Sequence, residues 1–389
     1  MSTTSQSIRF ADGGERDHAL SDVRKVVIKV GTRLLTGVDG SSKAQRVYEL
    51  IETIAGLRQR GIDVILVSSG AIGAGMMVLG TDKRPRTLPQ LQSHAAVGQC
   101  RLMYLYETAA EQFGFHSAQI LLTAADVQDR ERHLNVTSCL DALLGNGVLP
   151  VINENDSVSV EEIKFGDNDM LAALVAVMVR ADLTILLTSV DGLHEHIDID
   201  GKLGRRISVV NRITRDIRGM ARDTTDRNYS VGGMATKLQA AESVVKAGEN
   251  LWIADGADFG ILDRILAGDD VGTLFTAAKP TRMRGHQRYL AFFSEHAGDI
   301  TVDEGAARAL VDKGRSLLPI GITGVTGAFR RGDTVRICTP AGSEIGRGVS
   351  NYDADEVRKI KGRKTTEIHD ILGYDGYDTV IHRSYMVLV

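Results

Sequence analysis

Short β-branched runs alternate along the chain with stretches of helical period, and this alternation restricts the fold more than any other feature. Parallel strands need long crossovers between them, and a helix is the usual crossover. The pattern therefore predicts an α/β fold with an open, mostly parallel sheet sandwiched by helices. The first strand is expected at 25–30, Lys-Val-Val-Ile-Lys-Val. Val47, Leu50, Ile51, Ile54 and Leu57 follow at helical spacing, with Gly61 at the helix end and a second strand at 63–67. A mostly helical stretch is expected over 89–113, and further strands at 118–122, 148–152, 183–187 and 250–254. The apolar run 171–179 is too short to span a bilayer and reads as a buried helix.

The texture changes near Lys279-Pro280. A strand-like 297–302, a helix-like 303–313 and glycine-broken strands at 320–325, 334–338 and 344–349 predict a small β-rich domain over 281–389, after a larger domain over 21–280. Residues 1–20 are polar and lack the apolar stretch of a signal peptide, so a mobile tail is expected there. A net charge of −4 argues against a general nucleic-acid or membrane-surface binder. Residues 281–389 carry 16 Lys and Arg against 14 Asp and Glu, which falls short of the basic stripe that phosphate-backbone binding calls for. Cys100, Cys139 and Cys338 show no metal-ligand spacing, and such sparse usage fits a reduced, cytoplasmic protein with inert thiols.

Most polar or glycine-rich clusters follow the carboxyl end of an expected strand, the edge at which open α/β sheets bind ligands. They are Lys29-Val-Gly-Thr32, Ser68-Ser-Gly-Ala-Ile-Gly-Ala-Gly75, Asn153-Glu-Asn-Asp156 and Thr188-Ser-Val-Asp-Gly192. Gly166-Asp-Asn-Asp169 and Gly232-Gly-Met-Ala-Thr-Lys237 stand instead at expected helix starts. Neither the Gly-x4-Gly-Lys-Ser/Thr phosphate loop nor the dinucleotide Gly-x-Gly-x-x-Gly is present. Bare backbone after Gly233 would still offer amide donors at a helix N-terminus to phosphate oxygens. Taken singly, each cluster is also what a plain turn or cap looks like. Lys29 is sharper, because a buried parallel strand should be apolar there. A side chain snorkelling from an edge strand is one account of it, and a cation aimed at a transferring phosphate is the other.

At these residues the chain resembles the amino acid kinase family, and within it the glutamate 5-kinase branch. The resemblance is carried by Val27-Ile-Lys-Val-Gly-Thr32, Ser69-Gly-Ala-Ile-Gly-Ala-Gly75, Ala95-Ala-Val-Gly-Gln99, Val148-Leu-Pro-Val-Ile-Asn-Glu-Asn-Asp156, Phe165-Gly-Asp-Asn-Asp169 and Gly232-Gly-Met-Ala-Thr-Lys237. It runs from about residue 24 to the end. The segment with Ile300-Thr-Val-Asp-Glu-Gly-Ala306 and Ser316-Leu-Leu-Pro resembles a PUA domain.

The resemblance implies ATP-dependent phosphorylation of the L-glutamate side-chain carboxylate, the first step of proline biosynthesis, with Mg²⁺ carried in on ATP. It makes Lys29 and Lys237 catalytic cations and Asp167 the carboxylate that organises them. It makes Ser69, Asn153, Asp156 and Asn168 the glutamate-binding positions. ATP falls to Lys29, Gly31, Thr188, Ser189, Val231, Gly232, Gly233, Met234, Ala235, Thr236 and Lys237. Proline as a feedback inhibitor, a homo-oligomer and hand-off of product to glutamyl phosphate reductase are also implied. No general base stands in these motifs, and none is needed, since a glutamate side chain with a pKa of about 4.3 is already ionised at neutral pH. Two positions depart from the family pattern. Ser230-Val231 replaces Gly-Thr in the phosphate loop, and Ser189 replaces an aspartate, which together predict altered ATP affinity. The competing readings are a kinase of another carboxylate or carbamate and an RNA-binding PUA protein with a degenerate kinase domain.

Overall fold

In a computed structural model, the strands of the first part of the chain are β1 (Ile8–Arg9), β2 (Lys25–Val30), β3 (Asp63–Val67), β4 (Ser117–Leu122), β5 (Leu149–Glu154), β6 (Leu183–Thr188), β7 (Val209–Val210), β8 (Asn250–Asp255) and β9 (Thr273–Phe275). The structure describes residues 8–9, 14–36, 43–158, 168–196, 203–222, 233–277 and 285–388. The strands form one sheet in the order β1-β7-β9-β8-β6-β2-β3-β5-β4. From β4 through β8 every pairing is parallel. β8 and β9 then pair antiparallel, as do β1 and β7.

The order places β2 at the point where the chain changes direction across the sheet. β3, β5 and β4 lie to one side of it and β6 and β8 to the other. Register aligns the carboxyl ends: Lys29 is opposite Val67 of β3 and Leu186 of β6, and Val67 is opposite Ile152 of β5. Loops leaving β2, β3, β5 and β6 therefore emerge along one edge, beside the switch point at which ligands bind in such sheets.

Burial explains why these segments read so clearly. β2, β3 and β6 are covered on both faces, so they are continuous apolar runs rather than alternating ones. The helix Asn168–Val179 packs on β2 and is buried almost all round, as the apolar run over 171–179 predicts. The helix Lys43–Gln59 puts Val47, Leu50, Ile51, Ile54 and Leu57 into the same core as β2 and β3.

The chain divides into two compact units, Met1–Val127 with Glu131–Arg282, and Gln128–Arg130 with Met283–Val389. The second contains β10 (Gly298–Val302), β11 (Ile322–Gly327), β12 (Thr334–Cys338), β13 (Glu344–Val349) and β14 (Met386–Leu388), ordered β11-β10-β12-β13-β14 around its own apolar core. A large, mostly parallel sheet with helices and a separate β-rich sheet are thus both present, as expected.

Where a mobile tail is expected over 1–20, β1 pairs with β7 and a helix spans Glu15–Leu20. Composition misses what holds it. The Arg16 guanidinium is fully buried, donates to the Asp269 carbonyl at 2.8 Å and to Ser208 Oγ at 2.9 Å, and pairs with Asp270 at 2.7 Å. It also lies 5.1 Å from the Trp252 ring centroid. Among the described residues no helix is long and apolar enough to cross a membrane.

Candidate active site

Lys29 is the next-to-last residue of β2 and is only 6% exposed. A buried ammonium needs a partner, because desolvation of an uncompensated charge costs several kcal/mol. Asp169 supplies it, with Oδ1 2.6 Å from Lys29 Nζ. The other oxygen, Oδ2, accepts from Lys237 Nζ at 2.9 Å. Asp169 is wholly buried in the first turn of Asn168–Val179, and Lys237 is 5% exposed in the first turn of the helix Met234–Lys246. Burial pushes the Asp169 carboxyl upward, but the two ammonium groups outweigh it and hold the group well below the usual carboxylate range. Two cations converge on one carboxylate in a region of low dielectric, an arrangement suited to an anion.

Beside this trio lies a polar knot from neighbouring elements. The Asn168 side-chain amide donates to the Ser68 carbonyl at 2.8 Å, to Ser69 Oγ at 2.7 Å and to Asn153 Oδ1 at 3.0 Å. Asn153 Oδ1 also accepts from the Glu154 amide at 2.9 Å. Ser69 follows β3 and Asn153 lies in β5, so adjacent parallel strands bring them together at the Asn168 helix start. Asn168 and Asp169 are consecutive, so one helical turn ties the knot to the lysines.

The structure thus brings together Lys29 with Lys237, and Ser69 with Asn153 and Asn168. Asp156 is half-buried in the turn after β5. Gly31 directly follows β2, and a Cβ there would stand 3.8 Å from Lys29 Nζ. Thr188 ends β6, with its carbonyl accepting from Gly256 N at 2.9 Å, and Ser189 beside it is exposed. Gly233 caps Met234–Lys246 in extended conformation, its carbonyl accepting from Thr236 Oγ1 at 2.9 Å and from the Lys237 amide at 3.4 Å. Met234 is buried, and Ala235 and Thr236 are half-buried. Val231 and Gly232 lie outside the described residues, and so does Asp167.

Among the described residues the carboxylate that both lysines share is that of Asp169; the sequence reading gives the organising role to Asp167, which lies outside them. Both stand in Gly166-Asp-Asn-Asp169. One signal pointed to Asp169: it is the acid that opens an otherwise apolar, buried helix. Two further buried groups have no motif to reveal them. Lys43 is 8% exposed, lies 3.3 Å from the Gly70 carbonyl, and is pushed down to about 8 by burial. Tyr106 is fully buried, with its hydroxyl 2.7 Å from Ser68 Oγ.

The model of the amino acid kinase family matches residues 24–255, and that of the PUA domain matches 298–372. The chain is 46% identical over 370 residues to a glutamate 5-kinase of Trichlorobacter lovleyi, covering 95% of this chain and 98% of that protein. It is 45% identical over 373 residues to a glutamate 5-kinase of Moorella thermoacetica, covering 95% and 98%. Among solved structures, carbamate kinase from Giardia lamblia aligns with a TM-score of 0.47 at 18% identity, covering 66% of this chain and 99% of that one.

Proposed function

The chain belongs to the amino acid kinase family, and from that premise we propose that it transfers the γ-phosphoryl group of ATP to the side-chain carboxylate of L-glutamate, giving L-glutamyl 5-phosphate and ADP. The observation that carries the reading is the Lys29–Asp169–Lys237 trio set against the Ser69–Asn153–Asn168 knot. One supplies positive charge, the other a polar wall for an amino acid.

Phosphoryl transfer depends chiefly on positioning and charge stabilisation. A carboxylate oxygen of glutamate bonds to the γ-phosphorus as the bond from that phosphorus to the β,γ-bridging oxygen breaks, and the electron pair leaves with ADP. The acceptor is already ionised, so no side chain has to remove a proton. The difficulty is repulsion between two anions. Lys29 and Lys237 offset it, while Asp169 keeps both ammonium groups aimed at one place and prevents their mutual repulsion. Amides at the start of Met234–Lys246 face the phosphates, and Asp156 suits the α-ammonium of glutamate. Mg²⁺ enters as part of the MgATP substrate. Asp169 is engaged by two lysines, so phosphate oxygens and water are the natural ligands of that ion.

The family resemblance supports a place at the head of proline biosynthesis in the cytoplasm, proline as a competitor at the acceptor side, and a homo-oligomer. Acyl phosphates hydrolyse readily, which supports hand-off of the product to a reductase.

The test offers glutamate, aspartate and N-acetylglutamate with MgATP and traps acyl phosphate with hydroxylamine. Hydroxamate is expected from glutamate. Hydroxamate from aspartate alone sinks the substrate assignment, and tight binding of structured RNA without ATP turnover would favour the RNA-binding reading.

A further inference from the structure

Behind the acceptor side of the site runs a second layer of polar contacts, between the loop after β3 and a helix that is not part of the site. Tyr106 belongs to the helix Leu88–Gln112 and sits wholly inside an apolar core with Leu66, Leu102 and Val151. A phenylalanine would fill the same space. The hydroxyl is therefore the feature to explain, since a buried hydroxyl without a partner is costly. Its partner is Ser68 Oγ at 2.7 Å, and Ser68 is itself fully buried. Burial raises the Tyr106 phenol far above its ordinary range, so it remains a neutral donor at any working pH.

Ser68 is a node. Its amide donates to the Ile152 carbonyl of β5 at 2.8 Å, its carbonyl accepts from the Asn168 side chain at 2.8 Å, and its hydroxyl reaches the Ser69 carbonyl at 3.4 Å. With the Ser68 proton directed at Ser69, the Tyr106 hydroxyl donates to Ser68 Oγ. One contact thus links a distant helix to both Ser69 and Asn168. After Ser69, Gly70 has φ +99°, a conformation that disfavours any side chain there.

We propose that Tyr106 is a positioning residue for the acceptor side of the site, its hydroxyl acting through Ser68 to fix the orientation of Ser69 and Asn168. The proposal rests on the reading of that side as the glutamate pocket. Tyr106 touches no substrate. It sets the wall that does, and small misplacements of such a wall weaken acceptor binding before they slow transfer.

The experiment compares wild type, Tyr106→Phe, Ser68→Ala and the double variant, measuring KM and kcat for glutamate and for MgATP together with the melting temperature. Each single variant is expected to raise the KM for glutamate about fivefold, the scale of one net hydrogen bond. kcat should stay within about twofold, and the KM for MgATP should not change. Because both substitutions delete the Tyr106–Ser68 contact, the double variant is expected to be no worse than Ser68→Ala, which also loses the reach to the Ser69 carbonyl. A merely structural hydroxyl would lower the melting temperature and leave the KM for glutamate unmoved, which overturns the proposal. Additive losses in the double variant overturn it as well. Wild type that yields no glutamyl hydroxamate removes the functional reading and this proposal with it, whereas an active wild type beside an unaffected Tyr106→Phe removes this proposal alone.

Discussion

Asp169 divides one carboxylate between two ammonium groups, and each of the three side chains is nearly inaccessible. Asp169→Asn removes the carboxylate that both buried ammonium groups share, a change worth about 3–5 kcal/mol by analogy with other broken buried pairs. Turnover is expected to fall at least a hundredfold, read by hydroxamate formation, with the stability loss read by urea denaturation. Normal turnover would exclude Asp169 from the site. Lys237→Ala should lower turnover at least tenfold while glutamate still binds. Lys43 gives a prediction in pH. Burial lowers it from 10.5 to about 8, so between those values the unfolded chain holds more protons than the folded one. Stability from this group therefore rises as pH climbs from about 8 toward 10.5. Denaturation of wild type and Lys43→Met at about pH 7.5 and about pH 10 should show the difference shifting in favour of wild type, and a constant difference counts against it. Of these residues, Lys29 was legible because a lysine breaks an apolar strand. Asp169 was not separable from Asp167 by spacing alone, and Lys43 and Tyr106 work through tertiary contacts that no local pattern encodes.

Helices Ala71–Leu79 and Leu88–Gln112 cross on glycine. A Cβ on Gly98 would lie 1.7 Å from the Ala71 carbonyl oxygen, and one on Gly75 would lie 1.9 Å from that of His94. Gly98→Ala must push the helices apart, at a cost of about 1–3 kcal/mol. Ala71 directly follows the Ser69-Gly70 turn, so a higher KM for glutamate should accompany the lower melting temperature. Gly56, inside Lys43–Gln59, is the opposite case, with nothing within 4 Å of its added Cβ. Gly56→Ala should raise stability by about 0.5–1 kcal/mol through helix propensity, and a lowered melting temperature would contradict this. The sequence carried Ala95-Ala-Val-Gly-Gln99 as part of a resemblance, but its physical reason is a crossing partner that only the fold reveals. Long strands such as β2 and β6 announced themselves. β1, β7 and β9, of two or three residues, are too short to express any periodicity.

The two units have separate apolar cores, one around β2, β3 and β6 and one around β10 and β12. Ile337 is fully buried in the second. Ile337→Ala should cost that unit about 2–4 kcal/mol. Hydrogen exchange should then quicken over 298–349 and stay unchanged in β2 and β3, with glutamate turnover preserved. Loss of protection in β2 would show that the cores are not energetically separate. At this scale the sequence was most informative, since the alternation of strands and helices, the change of texture near Lys279 and the weak net charge of 281–389 all follow from composition along the chain. The Glu15–Leu20 helix escaped it because a buried arginine anchors it beside only two apolar residues, Ala19 and Leu20.

The site also has an order of assembly. Lys29 is synthesised early, Ser69, Asn153, Asn168 and Asp169 come next, and Lys237 arrives near the end of its unit. A nascent chain on the ribosome carries Lys29 and Asp169 before it carries the second ammonium, which comes only with Met234–Lys246. The acyl phosphate is a reactive electrophile, and a chain without Met234–Lys246 lacks one of the two cations that favour making it.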